Sequence, residues 1–312
     1  MALAVLFGLP GLAATYLRVT APTQDGPALA ASFIPFAVVA YALATLFFLV
    51  ALIRARRRSA LAFLTVLTAA LLACQVGWLA PLFIPDQRPA RTPTFTVMSL
   101  NVYKGVVDAD QLAEQAQDAD LVVLLEAVPG TVEQLDHRRW RQRFPYSVGE
   151  ARGDFGDTLL YSRFPLSDSG KLAGSDFQQW IATAEVPDLG PVRVIAAHPC
   201  NPYCPDDQFR IDHEQLKDAA SANMDQPLLI AGDLNATDDH APIRTLRRDG
   251  VRSVTDIVGA GWLPTWPANY RIPPVVPIDH ILVNPLLTAT SVHTFHVGGT
   301  DHLGLKAQIA GS

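Results

Sequence analysis

Two stretches of this 312-residue chain carry no charged side chain at all, Pro27 to Ile53 and Ala60 to Ile84. Each is longer than the roughly 20 residues a helix needs to cross a hydrocarbon core about 30 Å thick. A backbone in hydrocarbon must satisfy its own N–H and C=O groups, so both stretches predict membrane-spanning helices; the competing reading is helices buried in a protein core. A shorter apolar run, Met1 to Leu17, is interrupted by Pro10. It lacks the basic start and small-residue cleavage site of a secretory signal, which favours a further span. Residues 1–85 thus read as a membrane region with two or three transmembrane helices. Arg54, Arg56, Arg57 and Arg58 separate the last two runs, while only Arg88 and Arg91 follow closely. The positive-inside tendency puts the four-arginine loop in the cytoplasm. The expected location is the plasma membrane, multi-pass, with everything after Ile84 on the outer side.

The first 85 residues hold five of the 24 basic and one of the 30 acidic side chains, leaving 19 and 29 beyond them, a net −10. Such an acidic body has no broad electrostatic grip on nucleic-acid phosphate. It can still cleave a nucleic acid if metal ions supply the local positive charge. All eight histidines lie here. Residues 86–93, with Pro89 and Pro93, read as a short stiff linker. Cys74 falls inside the last apolar run and reads as packing. Cys200 and Cys204 are spaced to bridge in an outward-facing loop, with free thiols as the alternative. Two thiols beside His198 do not by themselves make a closed zinc site.

Beyond the linker, short apolar runs alternate with helical patterns. Strands are expected at Thr94 to Leu100, Leu121 to Leu125, Leu159 to Ser162, Ile181 to Val186 and Val192 to Ala197. Later ones fall at Leu228 to Ala231, Ile281 to Val283, Ser291 to Phe295 and Leu305 to Ile309. Helices are expected at Gln111 to Gln117, Thr131 to Arg143, Ile243 to Arg248 and Gln208 to about Ser221, the last capped by Asp206 or Asp207. The run Leu228-Leu229-Ile230-Ala231-Gly232-Asp233-Leu234-Asn235 reads as a strand buried on both faces that opens into a loop. If the backbone stays extended, Asp233 and Asn235 point to the same side and converge. The plainer reading is an Asp-x-Asn turn.

Polar groups collect at strand ends: Asn101, Glu126, His198, Asp233 with Asn235, Asp279 with His280, and Asp301 with His302. Singly, each has a plain reading: Asn101 a turn former, Glu126 a solvated strand end, His198 a satisfied core histidine, Asp301-His302 a surface loop. Together they suit a site at one rim of a sheet structure. Carboxylates gathered there repel one another unless a hard divalent cation with oxygen ligands, Mg²⁺ or Mn²⁺, neutralises them.

The ordered set Ser99-Leu100-Asn101-Val102, Leu124-Leu125-Glu126, Ala197-His198-Pro199, Gly232-Asp233-Leu234-Asn235, Ile278-Asp279-His280 and Thr300-Asp301-His302 resembles the endonuclease/exonuclease/phosphatase superfamily. Leu160-Tyr161-Ser162-Arg163-Phe164-Pro165 and Pro264-Thr265-Trp266-Pro267 are similar to its bacterial members with N-terminal spans. Thr300 stands where the superfamily usually has Ser, and Ala127-Val128-Pro129 departs from the residues that usually follow the glutamate. The resemblance implies an α/β fold, a four-layer sandwich of two packed mixed β-sheets flanked by helices, over residues 94–312. It implies Glu126 as the principal metal ligand, with Asn101 and Asp301 near the same ion. It implies Asp233 and Asn235 as the pair that positions water, His302, oriented by Asp279, as the base or the phosphate-contacting histidine, and His198 as a donor to phosphate or leaving group, with either histidine the one that takes the proton. His213, His240 and His280 are left as structural or exposed.

The function so implied is a membrane-anchored, extracytoplasmic, metal-dependent phosphoesterase. Its partners are a phosphate-ester substrate and the lipid bilayer. A phospholipid or lipid-linked phosphate is one substrate reading, and a nucleic acid, as substrate only, is the other. A third reading is a binding module of the same fold without turnover. Aromatic and apolar groups from Trp262 to Tyr270 can line a lipid-facing rim, or simply pack.

Overall fold

The computed structural model describes residues 1–55, 58–269 and 271–312. Arg56 and Arg57 of the basic loop, and Tyr270 of the aromatic stretch, lie outside the described residues. The chain opens with α1 (Ala2–Thr20), short α2 (Asp25–Ala31), α3 (Ala37–Arg54) and α4 (Ser59–Leu79). Among the described residues three segments are helical, long and apolar enough to cross a membrane: Ala2–Thr20, Ile34–Arg54 and Ser59–Leu82. The charge-free run from Pro27 is therefore two elements rather than one span. Pro27 sits in the first turn of α2, and Pro35 opens the single 3₁₀ turn leading into α3, a position that suits a residue with fixed φ and no N–H. α3 packs against both α1 and α4. Cys74 does not pack between helices as expected; it lies on the outward surface of α4.

Residues 86–93 run along the body that follows. The Asp86 N–H donates to Ile257 O at 3.0 Å, and the Arg91 N–H to Gly311 O at 2.8 Å. Among the described residues twelve strands then form two six-stranded sheets. The first sheet contains β1 (Phe95–Asn101), β2 (Leu121–Leu125), β3 (Tyr146–Glu150) and β4 (Thr158–Ser162). The second holds β5 (Leu166–Lys171), β6 (Trp180–Val186), β7 (Gly190–Ala197), β8 (Leu228–Asp233), β9 (Arg252–Ser253) and β10 (Asp279–Val283). The chain returns to the first sheet with β11 (Leu287–Phe295) and β12 (Gly304–Gly311). Spatial order is β11-β12-β1-β2-β4-β3 in one sheet and β5-β6-β7-β8-β10-β9 in the other. Both are mixed: β1 runs parallel to β2, and β7 to β8, while the other pairs are antiparallel.

The alternation of side chains across a strand explains the layering. Val97 of β1, Val123 of β2, Leu229 of β8 and Leu305 of β12 point between the sheets into one core. Their neighbours Met98, Leu100, Val122 and Leu124 point the other way, under α5 (Ala109–Gln115), α6 (Pro129–Asp136) and α7 (Trp140–Arg143). On the second sheet Leu228 and Ile230 point outward under α8 (Gln208–Ser221) and α9 (Ala241–Arg248). A last short helix, α10 (Val254–Val258), closes the edge near β11. Because every central strand is covered on both faces, its sequence reads as an unbroken apolar run. The expected four-layer α/β sandwich is what forms.

Three local expectations fail. The helix expected over Thr131 to Arg143 is two, α6 and α7, separated by Arg139 at φ 59°. The break lets Trp140 turn inward, its ring 4.7 Å from Phe144 and 5.5 Å from Tyr161, and that burial outweighs helix continuity. Asp207 precedes α8 but does not cap it. It has left-handed φ, 60°, and its carboxylate pairs with Arg210 instead. Strands β3 and β5 carried no sequence signal; they are the exposed edges of their sheets and hold few apolar residues.

His213, His240 and His280 are buried and bonded to backbone carbonyls, of Phe209, Ala28 and Ala236 respectively. Burial lowers the pKa of His213 and of His240 to about 4, against an ordinary value of 6.5. A histidine whose folded pKa is depressed contributes stability that is complete above 6.5 and is lost as pH falls toward 4. By pH 5 each accounts for about 2 kcal/mol of lost stability. The denaturation midpoint is therefore expected to drop steeply between pH 7 and 5, and less steeply in His213→Phe; urea titrations across that range check it.

Candidate active site

Strand register brings the polar strand ends together. Asp279 of β10 lies directly opposite Asp233 of β8, and His280 opposite Gly232. Ala197 pairs with Gly232 across the parallel β7–β8 ladder, which sets His198 beside Asp233. Asn101 of β1 pairs with Leu125 of β2, so Glu126 follows immediately. Asp301 and His302 enter from the loop before β12, which pairs with β1. The cluster therefore straddles both sheets at one rim.

Gly232 is required by this geometry. A Cβ there would lie 1.8 Å from Ala197 O, so any side chain would push β7 away from β8 and His198 away from Asp233. Glu126 takes a left-handed conformation, φ 57°, at a cost of about 1 kcal/mol. Its N–H donates to Asp157 O at 2.7 Å, which holds the turn. Asp157 is itself buried and accepts from the Arg152 and Gly153 N–H groups and from Gln178 Nε2.

The carboxylate of Asp233 is the hub. Its Oδ2 accepts from Asn101 Nδ2 at 3.1 Å and lies 3.6 Å from His302 Nε2 and 3.9 Å from His198 Nε2. Asn101 Nδ2 also reaches Glu126 Oε1 at 3.2 Å. His302 Nδ1 is 2.8 Å from Asp279 Oδ2. The Thr300 hydroxyl donates to Asn101 O at 2.6 Å and accepts the His302 N–H at 3.1 Å, bonds a serine hydroxyl could also make.

Asn235 departs from expectation. β8 ends at Asp233, and Asn235 is left-handed, φ 48°, so the two side chains are not related by extended-strand alternation. The Asn235 N–H donates to Asp233 Oδ1 at 2.9 Å, the Asp-x-Asn turn, and Asn235 Nδ2 donates to Pro199 O at 3.0 Å. Asn235 nevertheless lines the cleft, of about 330 Å³, that holds Asn101, Glu126, Asp233, Asp301 and His302. His198 sits behind it, fully buried, its ring 4.9 Å from Phe177.

Burial opposes charge at Glu126, Asp233, His198 and His302, and only at His302 do the neighbours outweigh it. Burial raises the pKa of Glu126, which the Asn101 bond partly offsets and the Asp233 charge reinforces. Asp233 is likewise raised by burial, against the pull of His302. Burial lowers His198 to about 4. At His302 burial is outweighed by the Asp279, Asp233 and Asp301 carboxylates, which raise it to about 10.

Glu126 Oε2 and Asp301 Oδ1 are buried without hydrogen-bond partners, and the Asp301 charge adds to the upward shift at Glu126. Unpaired carboxylate oxygens, with the Asn101 amide beside them, are the donor set a hard divalent ion takes. A tighter group, Asp233, Asp279 and His302, offers atoms within 4.8 Å of one another. Two of its members already bond each other, through the His302–Asp279 contact.

Two site residues were not among the candidates. Trp266 Nε1 donates to Asp301 Oδ2 at 3.2 Å, so this ring orients a site carboxylate rather than merely packing. Thr265 Oγ1 accepts the Asp279 N–H at 3.3 Å. Both belong to the quoted Pro264-Thr265-Trp266-Pro267 segment, which was the available signal. Cys200 and Cys204 are disulfide-bonded beside the cleft.

The family model for the endonuclease/exonuclease/phosphatase family matches residues 98–302, and the chain belongs to that family. Its members are generally hydrolases of phosphate esters that use divalent metal. The fold is similar to that of an endonuclease/exonuclease/phosphatase from Beutenbergia cavernae, at 19% identity and TM-score 0.55, covering 70% of this chain and 72% of that one. It is also similar to one from Bacteroides vulgatus, at 16% identity and TM-score 0.57, covering 70% and 99%. D. rerio TDP2 complexed with a single-strand DNA product has 17% identity and TM-score 0.55, covering 69% and 98%. Comparison with curated proteins gave no match.

Proposed function

We propose that this protein is a membrane-anchored, divalent-metal-dependent phosphoesterase whose catalytic body faces the outer side. The observation that carries the reading is the Asp233 carboxylate, two per cent exposed, set among Asn101, His198 and His302 at the rim where both sheets meet. Glu126, with Asn101 and Asp301, would hold Mg²⁺ or Mn²⁺. Bound there, the ion supplies Lewis-acid polarisation of a phosphoryl oxygen and offsets charge developing in the transition state.

The chain's own groups do the rest. The Asn235 N–H fixes Asp233 Oδ1, leaving Oδ2 to orient the attacking water. Asp279 holds His302 through Nδ1, so Nε2 presents an N–H toward the phosphoryl group. His302, kept protonated by the carboxylates around it, stabilises negative charge there. His198, kept neutral by burial, donates one hydrogen bond to a phosphate oxygen or the leaving group.

Full-length protein in detergent is expected to hydrolyse bis-p-nitrophenyl phosphate with Mg²⁺ or Mn²⁺ and to lose activity with chelator. Turnover that survives chelation would remove the metal from the reading, and binding without turnover would favour a module of the same fold. Support for anchoring comes from the three apolar helices and the arginine-rich connection between the last two. A reporter that matures only outside the cytoplasm, fused after Ser312, is expected to be active; activity of a cytoplasm-only reporter instead would reverse the orientation.

A further inference from the structure

The cleft has a wall that does not come from the sandwich. Leu29 and Ser32, from α2 and the turn after it, line it together with Asn101, Glu126 and His302. α2 is fastened to the sandwich at its start and at its middle. The Asp25 N–H donates to Pro202 O at 2.9 Å. At its middle, His240 Nδ1 accepts the Thr237 N–H, so its Nε2 carries hydrogen and donates to Ala28 O at 2.8 Å. Pro202 lies inside the loop closed by the Cys200–Cys204 disulfide, which holds the α2 seat in place.

This wall sits between two of the apolar helices. α1 ends at Thr20, before α2, and the next long apolar segment starts at Ile34, just after Ser32. The third, Ser59–Leu82, ends on the same side, where Leu82 O accepts the Gly261 N–H at 2.7 Å. The mouth of the cleft therefore opens at the level where these apolar helices end. Exposed aromatics gather at that level: Phe33 and Phe36, the latter edge-on to Trp262 at 6.3 Å. Tyr203, 62% exposed, stands on the same rim. Leu29, Tyr203, Val276 and Ile278 give the cleft apolar surface beside its polar groups.

We propose that the substrate is a phosphate ester carried by a lipid of the adjoining leaflet, with Leu29 and Ser32 as specificity-determining residues along which its apolar part leaves the cleft. The proposal rests on the phosphoesterase reading above. A lipid phosphate lies at the depth of the α2 wall, and its chains continue toward the bilayer without leaving it. A nucleic acid meets instead an acidic body, and its flanking nucleotides meet the α2 wall.

The test uses the full chain reconstituted in phosphatidylcholine vesicles with Mn²⁺. Three phosphodiesters are compared: p-nitrophenyl hexadecyl phosphate in the same vesicles, water-soluble p-nitrophenyl ethyl phosphate, and a single-stranded oligonucleotide. The first two share one leaving group, so their ratio isolates the lipid part. The lipid-borne ester is expected to be preferred by at least about tenfold, and Leu29→Glu to reduce that ratio about tenfold, the effect of losing one or two buried methylene contacts. Leu29→Met is expected to keep the ratio, and thermal unfolding of both variants shows that they fold. An equal rate on both chromogenic esters, an equal loss in Leu29→Glu, or preference for the oligonucleotide would overturn the proposal while leaving the phosphoesterase reading intact. Failure to cleave all three would overturn both.

Discussion

Asp233→Asn is expected to lower kcat/KM toward bis-p-nitrophenyl phosphate by about 10³-fold while thermal unfolding stays within about 2 kcal/mol of the parent. Asn has the same shape, and its carbonyl can still accept the Asn235 N–H now made to Oδ1 at 2.9 Å. What it loses is a carboxylate oxygen free to orient water. Its amide nitrogen would also face Asn101 Nδ2, a donor against a donor, where Asp233 Oδ2 now accepts at 3.1 Å. That lost bond is offset by removing a charge whose burial already raises its pKa. Stability and activity thus separate, which a purely structural role for Asp233 does not permit. His302→Ala is expected to behave similarly. A doubly substituted chain as active as the parent would show that the site lies elsewhere.

The second large effect concerns Glu126. In the parent, Mg²⁺ or Mn²⁺ at a hundredfold excess over its dissociation constant is expected to stabilise the fold by about 2.7 kcal/mol. Glu126→Gln is expected to abolish that shift. The ion relieves a carboxylate whose Oε2 has no partner and whose charge is disfavoured by burial and by Asp233. Asp279→Asn serves as the contrast, because Asp279 belongs to the tighter Asp233–Asp279–His302 group. If Asp279→Asn removes the metal-induced shift and Glu126→Gln does not, the ion is held by that group. Thermal scans with and without metal on the three proteins decide between them.

What was legible in the sequence follows from where side chains are forced by burial. Leu121 to Leu125 and Leu228 to Ala231 are covered on both faces, so no polar residue is tolerated and the strands announce themselves. The residues that end them, Glu126 and Asp233, were legible for the same reason: each is the first polar group after an apolar run. Tyr146–Glu150 and Leu166–Lys171 are strands by hydrogen bonding to one neighbour only, and their exposed faces left no periodic trace. The Asn235 side chain was misplaced because strand alternation stops one residue after Gly232, where a left-handed turn takes over. α2 was hidden inside a charge-free run, since a short helix lying against a protein surface and a span through lipid draw on the same apolar residues. Its seat on Pro202 and His240 joins positions far apart in the chain, and such contacts have no local signature.

The strand order also bears on when the rim is assembled during synthesis. The second sheet is one continuous stretch, from β5 to β10, whereas the first is sewn from both ends, with β12 inserted between β11 and β1. Asp301 and His302 sit just ahead of β12 and are positioned only when it pairs. A nascent chain can therefore complete one sheet and present His198, Asp233 and Asp279 while still lacking the other half of its chemistry. The rim closes only when β12 pairs with β1, after the apolar helices and α2 have already been made.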